Sequence, residues 1–460
     1  GYSNTTGESN VFLGNKAGYT NNAGKNNVFV GTSSGYSNTS GESNVFLGNQ
    51  AGYTNSTGIN NVFVGTNAGN KNSSGENNVF MGNEAGLNNN IGKNNVFLGS
   101  EAGRSNTTGG NNVFIGDSAG RSSISAKNNV ILGSKAGFSN KYGQNNVFIG
   151  TNAGYNNIGS TGTWGGNKGI FIGYESGYNN TTGSHNIFFG EHAGYTNTTG
   201  SQNIFIGLKA GRCNTTDGGK VFIGTGAGEN FKREHVEGEG VNGTLFIGDN
   251  CARYWETGTN NTIINSYASG VKDGSNNIFI GKNVFSLGTT VNNRLAIGSL
   301  IYGELDNKRV AINTTNANGK TFYVNGDAGG SGGWNQGSDK RLKTNIKPLE
   351  GALQSVLKLQ GVTFNWIDET NNRPGRNVGF IAQEVKEIIP EIVNGGGKDE
   401  KGNEIYYSIE YATLTPVLVE AIKEQQEAIN KLNAVNKEQQ ELIDKLIEEL
   451  KTIKEQVKTK

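Results

Sequence analysis

Apolar and polar residues follow one pattern that returns every 17 residues over most of the chain. The segment Asn-Val-Phe-Leu-Gly at residues 10–14 returns as Asn-Val-Phe-Val-Gly at residues 27–31. Two short insertions interrupt the series, whose central position recurs at Phe46, Phe63, Phe80, Phe97, Phe114, Ile131, Phe148, Phe171, Phe188, Phe205, Phe222, Phe246, Ile263 and Phe279. A fixed period of this length is typical of a repeat protein in which each unit forms one structural layer.

Each unit contains two short alternating stretches that predict strands. In the first, Val11 and Leu13 point to one side and Phe12 to the other, because side chains alternate along a strand. In the second, Ala17 and Tyr19 share a face. The pattern therefore predicts a mainly β protein, a parallel β-solenoid (β-roll) whose 17-residue coils each hold two strands joined by tight turns at glycines.

Proline placement favours a continuous ladder of strands. All four prolines lie beyond residue 340, at Pro348, Pro374, Pro390 and Pro416. Stacked strands use the backbone N–H group that proline lacks, so a long proline-free region suits a solenoid. We therefore predict a shaft over residues 1–300, with insertions near residues 158–168 and 229–243 that loop out of it.

The predicted coil has two apolar faces and little interior. If Val and Leu fill the coil, the row that contains Phe12 lies outside, where an aromatic stripe promotes aggregation unless it is buried. Three chains that pack these rows around a common axis would bury it, so we expect a homotrimer. The unit also resembles the head repeats of trimeric autotransporter adhesins and the repeats of bacterial surface and phage-type fibres, with a longer period and Phe in place of Ala.

Composition narrows the classes of partner and chemistry. Gly accounts for 72 of 460 residues and hydrophobic residues for 33%, which fits a thin repeat fold better than several globular domains. The net charge of +1 gives no reason to expect nucleic acid as a partner, and no apolar run suits membrane insertion. Cys213 and Cys251 form neither a disulfide framework nor a metal motif, so we expect two unpaired thiols, with a crosslink of the shaft as the alternative. No metal and no cofactor are expected.

The repeat fades after residue 300, and a different composition begins. Residues 301–327 predict the last strands of the shaft, and residues 328–337 form a Gly-rich linker. Residues 338–417 alternate short helical and strand patterns, which predicts a small α+β domain. Its expected elements are a helix at 353–359, a strand at 362–366, a strand that becomes helical over 378–389, and a strand at 404–409.

A heptad pattern begins near Leu414, and residues 418–460 are predicted as a trimeric coiled coil. The a-type positions are Ile422, Ile429, Asn436, Ile443, Leu450 and Val457. The d-type positions are Gln425, Leu432, Gln439, Leu446 and Ile453. The alternative, an amphipathic helix folded back on its own domain, fits the strict seven-residue spacing less well.

The C-terminal motifs resemble the endosialidase-type intramolecular chaperone domain that ends many phage tail spikes and fibres. The opening motif is Ser-Asp-Lys-Arg-Leu-Lys-Thr-Asn-Ile at residues 338–346. Gly-Val, Phe and Trp follow within residues 361–366, and Gly-Phe-Ile-Ala-Gln-Glu-Val occupies residues 379–385. The match covers about residues 338–430 and implies a domain that templates trimerisation and folding of the shaft.

The resemblance also implies a single self-cleavage before the motif's serine by a Ser–Lys dyad. Ser338 would be the nucleophile, Lys343 the general base, and Gly337–Ser338 the bond that is cut. A serine hydroxyl needs a base, and a lysine serves once desolvation favours its neutral amine. Asp339 either orients the site or is a surface carboxylate. No activity on an external substrate is expected.

Two function classes compete for the shaft, a fibre for attachment to a surface and a tail spike that degrades a glycan. A glycosidase needs two carboxylates in one groove, whereas most acidic residues here occupy single turn positions. The segment 229–256 is richer in acids and includes His235 and Trp255, and the other insertion contains Trp164. We treat Trp164, His235 and Trp255 as candidate ligand-contact residues in loops, because exposed aromatic side chains suit contact with sugars or proteins.

Two further patterns have plain interpretations. His185 and His192 are expected to be solvent-facing turn residues rather than a metal ring. The many Asn-x-Thr/Ser triplets fit turn chemistry better than glycosylation.

The sequence therefore predicts an extracellular trimeric fibre, on a virion, an injection device or alternatively a bacterial cell surface. It would recognise a surface receptor, with a glycan as one candidate. The chain opens on Gly1 inside a repeat, so we expect it to be a fragment of a longer protein.

Overall fold

A computed structural model describes residues 1–159, 168–232, 243–265, 272–281, 290–312, 321–324, 338–367, 375–398 and 404–458. The chain divides into two compact units, Gly1–Tyr323 and Val324–Lys460. The first unit is built from short strands and turns, and the second combines three helices with two small sheets in its described part. None of the helices in the described ranges is long and apolar enough to cross a membrane.

The first unit is a parallel β-solenoid, as the sequence predicts. Its described strands are β1 (Val11–Leu13), β2 (Val28–Val30), β3 (Val45–Leu47), β4 (Val62–Val64), β5 (Val79–Met81), β6 (Val96–Leu98), β7 (Val113–Ile115), β8 (Val130–Leu132), β9 (Val147–Ile149), β10 (Ile170–Ile172), β11 (Ile187–Phe189), β12 (Ile204–Ile206), β13 (Lys220–Ile223), β14 (Thr244–Ile247), β15 (Thr262–Ile264), β16 (Ile278–Ile280), β17 (Arg294–Ile297), β18 (Ile301–Glu304), β19 (Arg309–Ile312) and β20 (Phe322–Val324). From β1 to β17 each strand pairs in parallel with the next, and equivalent residues of successive coils lie opposite each other.

The solenoid ends in a change of strand direction. Strand β18 pairs antiparallel with β17, and β19 pairs antiparallel with β18. Strand β20 joins the same sheet beside β19. Terminal strands were expected near these positions, but the antiparallel reversal was not, because the sequence pattern of a strand does not encode the direction of its neighbour.

Each coil holds one three- or four-residue strand, so the prediction of two strands per coil is wrong. The second alternating stretch, which contains Ala17 and Tyr19, consists of turns. Gly14 has a φ of 135°, Lys16 of 58° and Gly18 of 56°. Left-handed backbone at such close intervals cannot continue a pleated strand, and the chain therefore bends where alternation suggested extension.

The Phe row lies inside the coil, which corrects the expectation that Val and Leu fill it. The rings of Phe46, Phe63 and Phe80 are fully buried, and each stacks on the next with centroids 4.8 Å apart. This separation equals the distance between hydrogen-bonded strands, so every layer receives one ring. A Cβ on Gly52 would lie 2.4 Å from the ring of Phe46, so this glycine leaves the space that the ring fills.

Buried asparagines form ladders that follow the same layers. Asn55 Nδ2 donates to Asn38 Oδ1 at 2.8 Å and to the carbonyl of Gly58 at 3.1 Å, and Asn72 Nδ2 donates to Asn55 Oδ1 at 2.7 Å. Each amide therefore bonds both to the neighbouring coil and to a turn of its own coil. Such pairing is required, because a buried polar group without a partner costs about 1–3 kcal/mol.

The second unit has a small mixed core. Its described elements are α1 (Ala352–Lys358), β21 (Val362–Phe364), β22 (Asn377–Gly379), α2 (Ala382–Ile388), β23 (Val393–Asn394), β24 (Ser408–Ile409) and α3 (Leu414–Lys458). Strands β21 and β22 pair antiparallel, as do β23 and β24. The core consists of Ala352, Val385, Ile389, Ile392, Leu414, Val417 and Ala421, so the first turns of α3 pack into the domain. These elements agree with the α+β prediction, except that the strand expected over 404–409 shortens to two residues.

The buried ring stack predicts a large loss of stability when one ring is removed. We expect Phe63→Ala to lower the free energy of unfolding of the shaft by about 3–5 kcal/mol, because it leaves a cavity in a layer that holds a single large side chain. Lys71→Ala removes an exposed side chain close by in the sequence and serves as the control. Thermal denaturation followed by circular dichroism measures both, and equal midpoints for the two variants would contradict the central role of the stack.

Candidate functional site

Ser338 and Lys343 come into direct contact at the start of the described part of the second unit. A 3-10 turn at Lys340–Leu342 lies between them. Lys343 Nζ donates a hydrogen bond to Ser338 Oγ at 2.8 Å. Spacing alone did not require this contact, since five residues of extended chain would separate the two side chains widely.

Asp339 has a structural part in this turn. Its side chain caps the turn by accepting from the Arg341 backbone N–H at 2.8 Å, and it also accepts from Arg341 Nη2 at 2.7 Å. These bonds from Arg341 hold the pKa of the Asp339 carboxyl below its usual value. Within the described contacts, Asp339 thus holds Arg341 and shapes the turn rather than bonding to Ser338 or Lys343.

The pair has the contact that proton transfer needs, but not the surroundings. A lysine acts as a general base only when its amine is neutral, which requires that the amine be shielded from water. Ser338 and Lys343 are both exposed in the single chain. Gly337, and with it the geometry of the Gly337–Ser338 bond, lies outside the described residues.

A carboxylate from α3 binds the start of α1. Glu424 accepts hydrogen bonds from the backbone N–H groups of Ala352 at 3.0 Å and Leu353 at 2.8 Å. Gly351 precedes the helix and offers no side-chain cap, so Glu424 satisfies two donors that would otherwise lack partners. Sequence reasoning missed this contact, because the acceptor lies 72 residues from the helix that it caps.

The candidate ligand-contact residues have different outcomes. Trp164 and His235 lie outside the described residues. Trp255 is completely buried, and its Nε1 donates to the carbonyl of Thr257 at 2.7 Å. It occupies the position that Asn214 and other ladder asparagines fill, and its ring lies between Phe246 and Phe279. The expectation of an exposed Trp255 is therefore wrong, because an apolar ring replaces an amide in the core.

Two of the three described acids around Trp255 are engaged in ion pairs, and the third, Asp249, is exposed and accepts a hydrogen bond from Asn250. Glu229 is nearly buried and its Oε2 lies 2.7 Å from Arg253 Nε. The exposed Glu256 lies 3.8 Å from Lys272. Among the residues that the structure describes, this segment therefore offers no open pair of carboxylates of the kind that a glycosidase uses.

The histidines and the Asn-x-Thr/Ser triplets also have structural surroundings. His192 Nε2 lies 3.0 Å from Glu175 Oε2, so the ring is partly covered rather than solvent-facing. The described part of the chain contains no cluster of His, Cys, Asp or Glu that could hold a metal ion. The triplet residues Asn38, Asn55 and Asn72 belong to the buried ladder, so their amides are engaged in structural hydrogen bonds.

Comparison with known proteins gives one family and two relatives. Residues 338–394 match the family described as Chaperone of endosialidase. The long tail fiber protein Gp37 of Enterobacteria phage K3 is 35% identical over 98 residues, which is 21% of this chain and 8% of that protein. The protein of the same name from Enterobacteria phage T2 is 35% identical over 98 residues, which is 21% of this chain and 7% of that protein. The chain thus spans less than a tenth of the length of these curated relatives.

These observations define the class of protein. A β-solenoid shaft precedes a C-terminal unit that carries a chaperone-of-endosialidase domain over residues 338–394, as the motif at residues 338–346 indicated. The shaft, this domain and the Gp37 relatives together fit a phage tail fibre.

The contact between α3 and α1 can be tested by removing the capping carboxylate. We expect Glu424→Ala to destabilise the second unit by about 1–2 kcal/mol, because two backbone donors at the start of α1 lose their partner. Glu427→Ala is the matched control on the same helix, since Glu427 is exposed and pairs only with Lys431 among its described contacts. Thermal unfolding of the full chain measures both variants, and a larger effect of Glu427→Ala would contradict the capping role.

Proposed function

We propose that this chain is the distal part of a homotrimeric tail fibre for attachment to a surface, and that its C-terminal unit templates the fold and is then released by self-cleavage between Gly337 and Ser338. The observation that carries this proposal is the 2.8 Å contact between Lys343 Nζ and Ser338 Oγ at the start of the chaperone domain. A nucleophile in contact with its base, next to the segment that joins the two units, suits a single cut that separates them.

Helix α3 supports the trimer through its uncovered apolar positions. Ile422, Leu446, Leu450 and other heptad residues are exposed in the single chain. Leu442 and Ile447 lie beside the a/d seam and widen the apolar face in its C-terminal half. When the apolar face of a helix is wider than its a/d seam, one partner helix leaves part of that face exposed. Two partner helices, as in a trimer, can cover it.

The shaft offers a second uncovered surface, which replaces the Phe row as the reason for association. We call this surface the strand face. It consists of the first and third residues of each three-residue strand from β1 to β16, and of the second and fourth residues of the four-residue strands β13, β14 and β17. Because the central residue of each strand points inward, two rows point outward that consist of Val, Ile, Leu and Met, with Phe189 and Thr262 as exceptions and without a charged residue. Leu13, Met81 and Phe189 on this face are each at least 45% exposed.

Only a partner with the same axial repeat can cover the strand face along its length. Each coil adds one pair of aliphatic side chains per layer of the sheet, at a separation of about 4.8 Å. A second and third copy of the shaft present rows with the same spacing, so every layer finds an equivalent layer. Burial of exposed apolar area stabilises such an assembly by about 25 cal/mol per Å².

The order of events follows from the cost of long-range pairing. Stacked parallel strands fold slowly and expose apolar surface while they do so. The C-terminal unit has its own core and a long helix with an uncovered seam, so three copies can associate first and align three shafts. Neighbouring chains would also shield Lys343 from water, which supplies the desolvation that the single chain lacks.

The cleavage step can be written with its atoms balanced. Ser338 Oγ attacks the carbonyl carbon of Gly337 while Lys343 accepts the hydroxyl proton. The Gly337–Ser338 C–N bond breaks, the amine of Ser338 takes up a proton, and an ester links Gly337 to Oγ. Water then hydrolyses the ester, which leaves a carboxylate on Gly337 and a free amine and hydroxyl on Ser338.

The alternatives are less well supported. A glycan-degrading spike would need an open carboxylate pair, and the described acids Glu229 and Glu256 are held in ion pairs. A bacterial cell-surface adhesin would share the solenoid, but the two curated relatives are named as phage tail fibre proteins. A virion-associated extracellular fibre is therefore the favoured assignment.

Self-cleavage predicts a simple change in chain mass. We expect wild-type protein to yield a fragment that ends at Gly337, whereas Ser338→Ala and Lys343→Met remain full length, because each lacks one half of the dyad. Lys347→Met is the matched control for Lys343→Met and should be cleaved like the wild type, since Lys347 is exposed and lies beyond the turn that joins the dyad. Intact-mass spectrometry reads out all four proteins, and a normal fragment from Ser338→Ala would overturn the dyad assignment.

The strand face predicts which residues meet between chains. In a Cys213→Ser, Cys251→Ala background, we expect Val64→Cys or Ile206→Cys to give covalent species of two chains under mild oxidation, because equivalent residues lie near one axis. Ser139 and Ala227 occupy the same coil positions as the two native cysteines, so the background should fold. Lys71→Cys is the control. Sedimentation reports the number of chains, and crosslinks from Lys71→Cys alone would assign the interface to another surface.

A further inference from the structure

One side of the shaft carries a groove that spans four successive coils. It encloses about 320 Å³. Its lining residues form two rows along the shaft. In each coil they lie one and three positions after the residue that corresponds to Tyr178. They are Ser139, Asn156, Ile158, Asn179, Thr181, Thr196 and Thr198. The groove is built from turns, so it uses none of the residues of the strand face.

The lining combines hydroxyl and amide groups with apolar surface, including the side chain of Ile158, and carries no ionisable side chain. Thr196 Oγ1 donates to the carbonyl of Arg212 at 2.7 Å, and Thr181 Oγ1 donates to the carbonyl of Thr198 at 3.1 Å. Each hydroxyl proton is thus directed into the shaft, and the oxygen retains acceptor capacity. Asn156 Nδ2 donates to Asn179 Oδ1 at 3.1 Å. The groove therefore presents acceptors at fixed intervals on a rigid support.

An aromatic ladder runs alongside the groove, since its members directly precede the first row of lining residues. Phe138, Tyr155, Tyr178 and Tyr195 stack with centroids 5.0, 5.0 and 5.3 Å apart. An arginine flanks each end of this ladder, since Arg121 lies 5.6 Å from the Phe138 centroid and Arg212 lies 5.9 Å from the Tyr195 centroid. Because the ring faces are covered by each other, a ligand would meet ring edges and phenol hydroxyls.

We propose that this groove binds a linear, uncharged glycan. Sugar hydroxyls are the donors that a row of hydroxyl oxygens and amides can satisfy, and sugar C–H groups suit Ile158 and the ring edges. A charged ligand would lose hydration without an opposite charge in the lining. The spacing of the coils is close to the length of one pyranose unit in an extended chain, so successive sugars meet equivalent residues.

This inference rests on the proposed attachment function and deepens it, and it places the contacts on the regular coils on both sides of the first insertion, which begins near Ile158. The order of the rows repeats in each layer, so one glycan chain can contact several layers at once. The free energies of individually weak contacts then add along the groove. Because no loop has to become ordered, the entropic cost of binding is lower.

The test uses substitutions that other coils already contain. Thr181→Ile and Thr198→Ile together remove two hydroxyls at a position where Ile124 and Ile158 occur naturally. The control pair, Thr39→Ile and Ser56→Ile, makes the same change at equivalent positions outside the groove. Calorimetric titration of the purified fibre uses cellohexaose, N-acetylchitohexaose and a hexameric oligogalacturonate as probes. Tyrosine fluorescence monitors the ladder in the same samples.

We expect one of the two neutral hexasaccharides to bind the wild-type fibre and the control pair equally, and the groove pair to bind it about tenfold or more weakly. Binding of the acidic hexamer alone, no binding of any probe, or equal binding by the groove pair would overturn the inference. The number of chains and the cleavage product are measured on the same preparation. A trimeric, processed fibre that ignores neutral glycans would therefore refute the groove and leave the proposed function standing.

Discussion

The stacking of one phenylalanine ring per layer is the constraint on which the shaft depends. The coil is so narrow that the ring of Phe63 fills its layer, with Gly69 drawn close enough that a Cβ would lie 2.4 Å from that ring. The 4.8 Å between centroids matches the distance between paired strands. Rings, backbone ladders and asparagine ladders therefore share one repeat, and a change of layer thickness in one would break the other two.

The inward ring also decides what the outer surface offers. Alternation along a three-residue strand sends Val62 and Val64 outward once Phe63 points inward. A strand whose every residue is apolar must also direct apolar side chains away from the ring stack, and Val62 and Val64 remain only partly buried in the single chain. The need to cover that surface links the core of each coil to the proposed association of three chains, in addition to the seam on α3.

Sequence reasoning recovered the period, the parallel stacking and the long C-terminal helix, because each is written as a repeat of residue types. It did not recover which face of the strand is inside. Alternation separates Phe12 from Val11 and Leu13, but both sets are apolar, and the choice depends on how much volume one layer encloses. The burial of Trp255 follows from the period, since Trp255 comes nine residues after Phe246 as Asn21 does after Phe12. It was missed because the residue was assigned to the acidic insertion instead of to the regular coil. Glu424 was missed because its partners are distant in the sequence.

The Ser338–Lys343 contact, in contrast, was predicted from the sequence motif. The motif specified both residues, and the turn held by Asp339 and Arg341 brings them together within the single chain. What the single chain does not supply is shelter from water. A dyad that is assembled but exposed is suited to act only after something else covers it, and chains that associate through α3 would provide that cover. Cleavage would then follow assembly rather than precede it, so the template would remain attached for as long as the shafts need alignment.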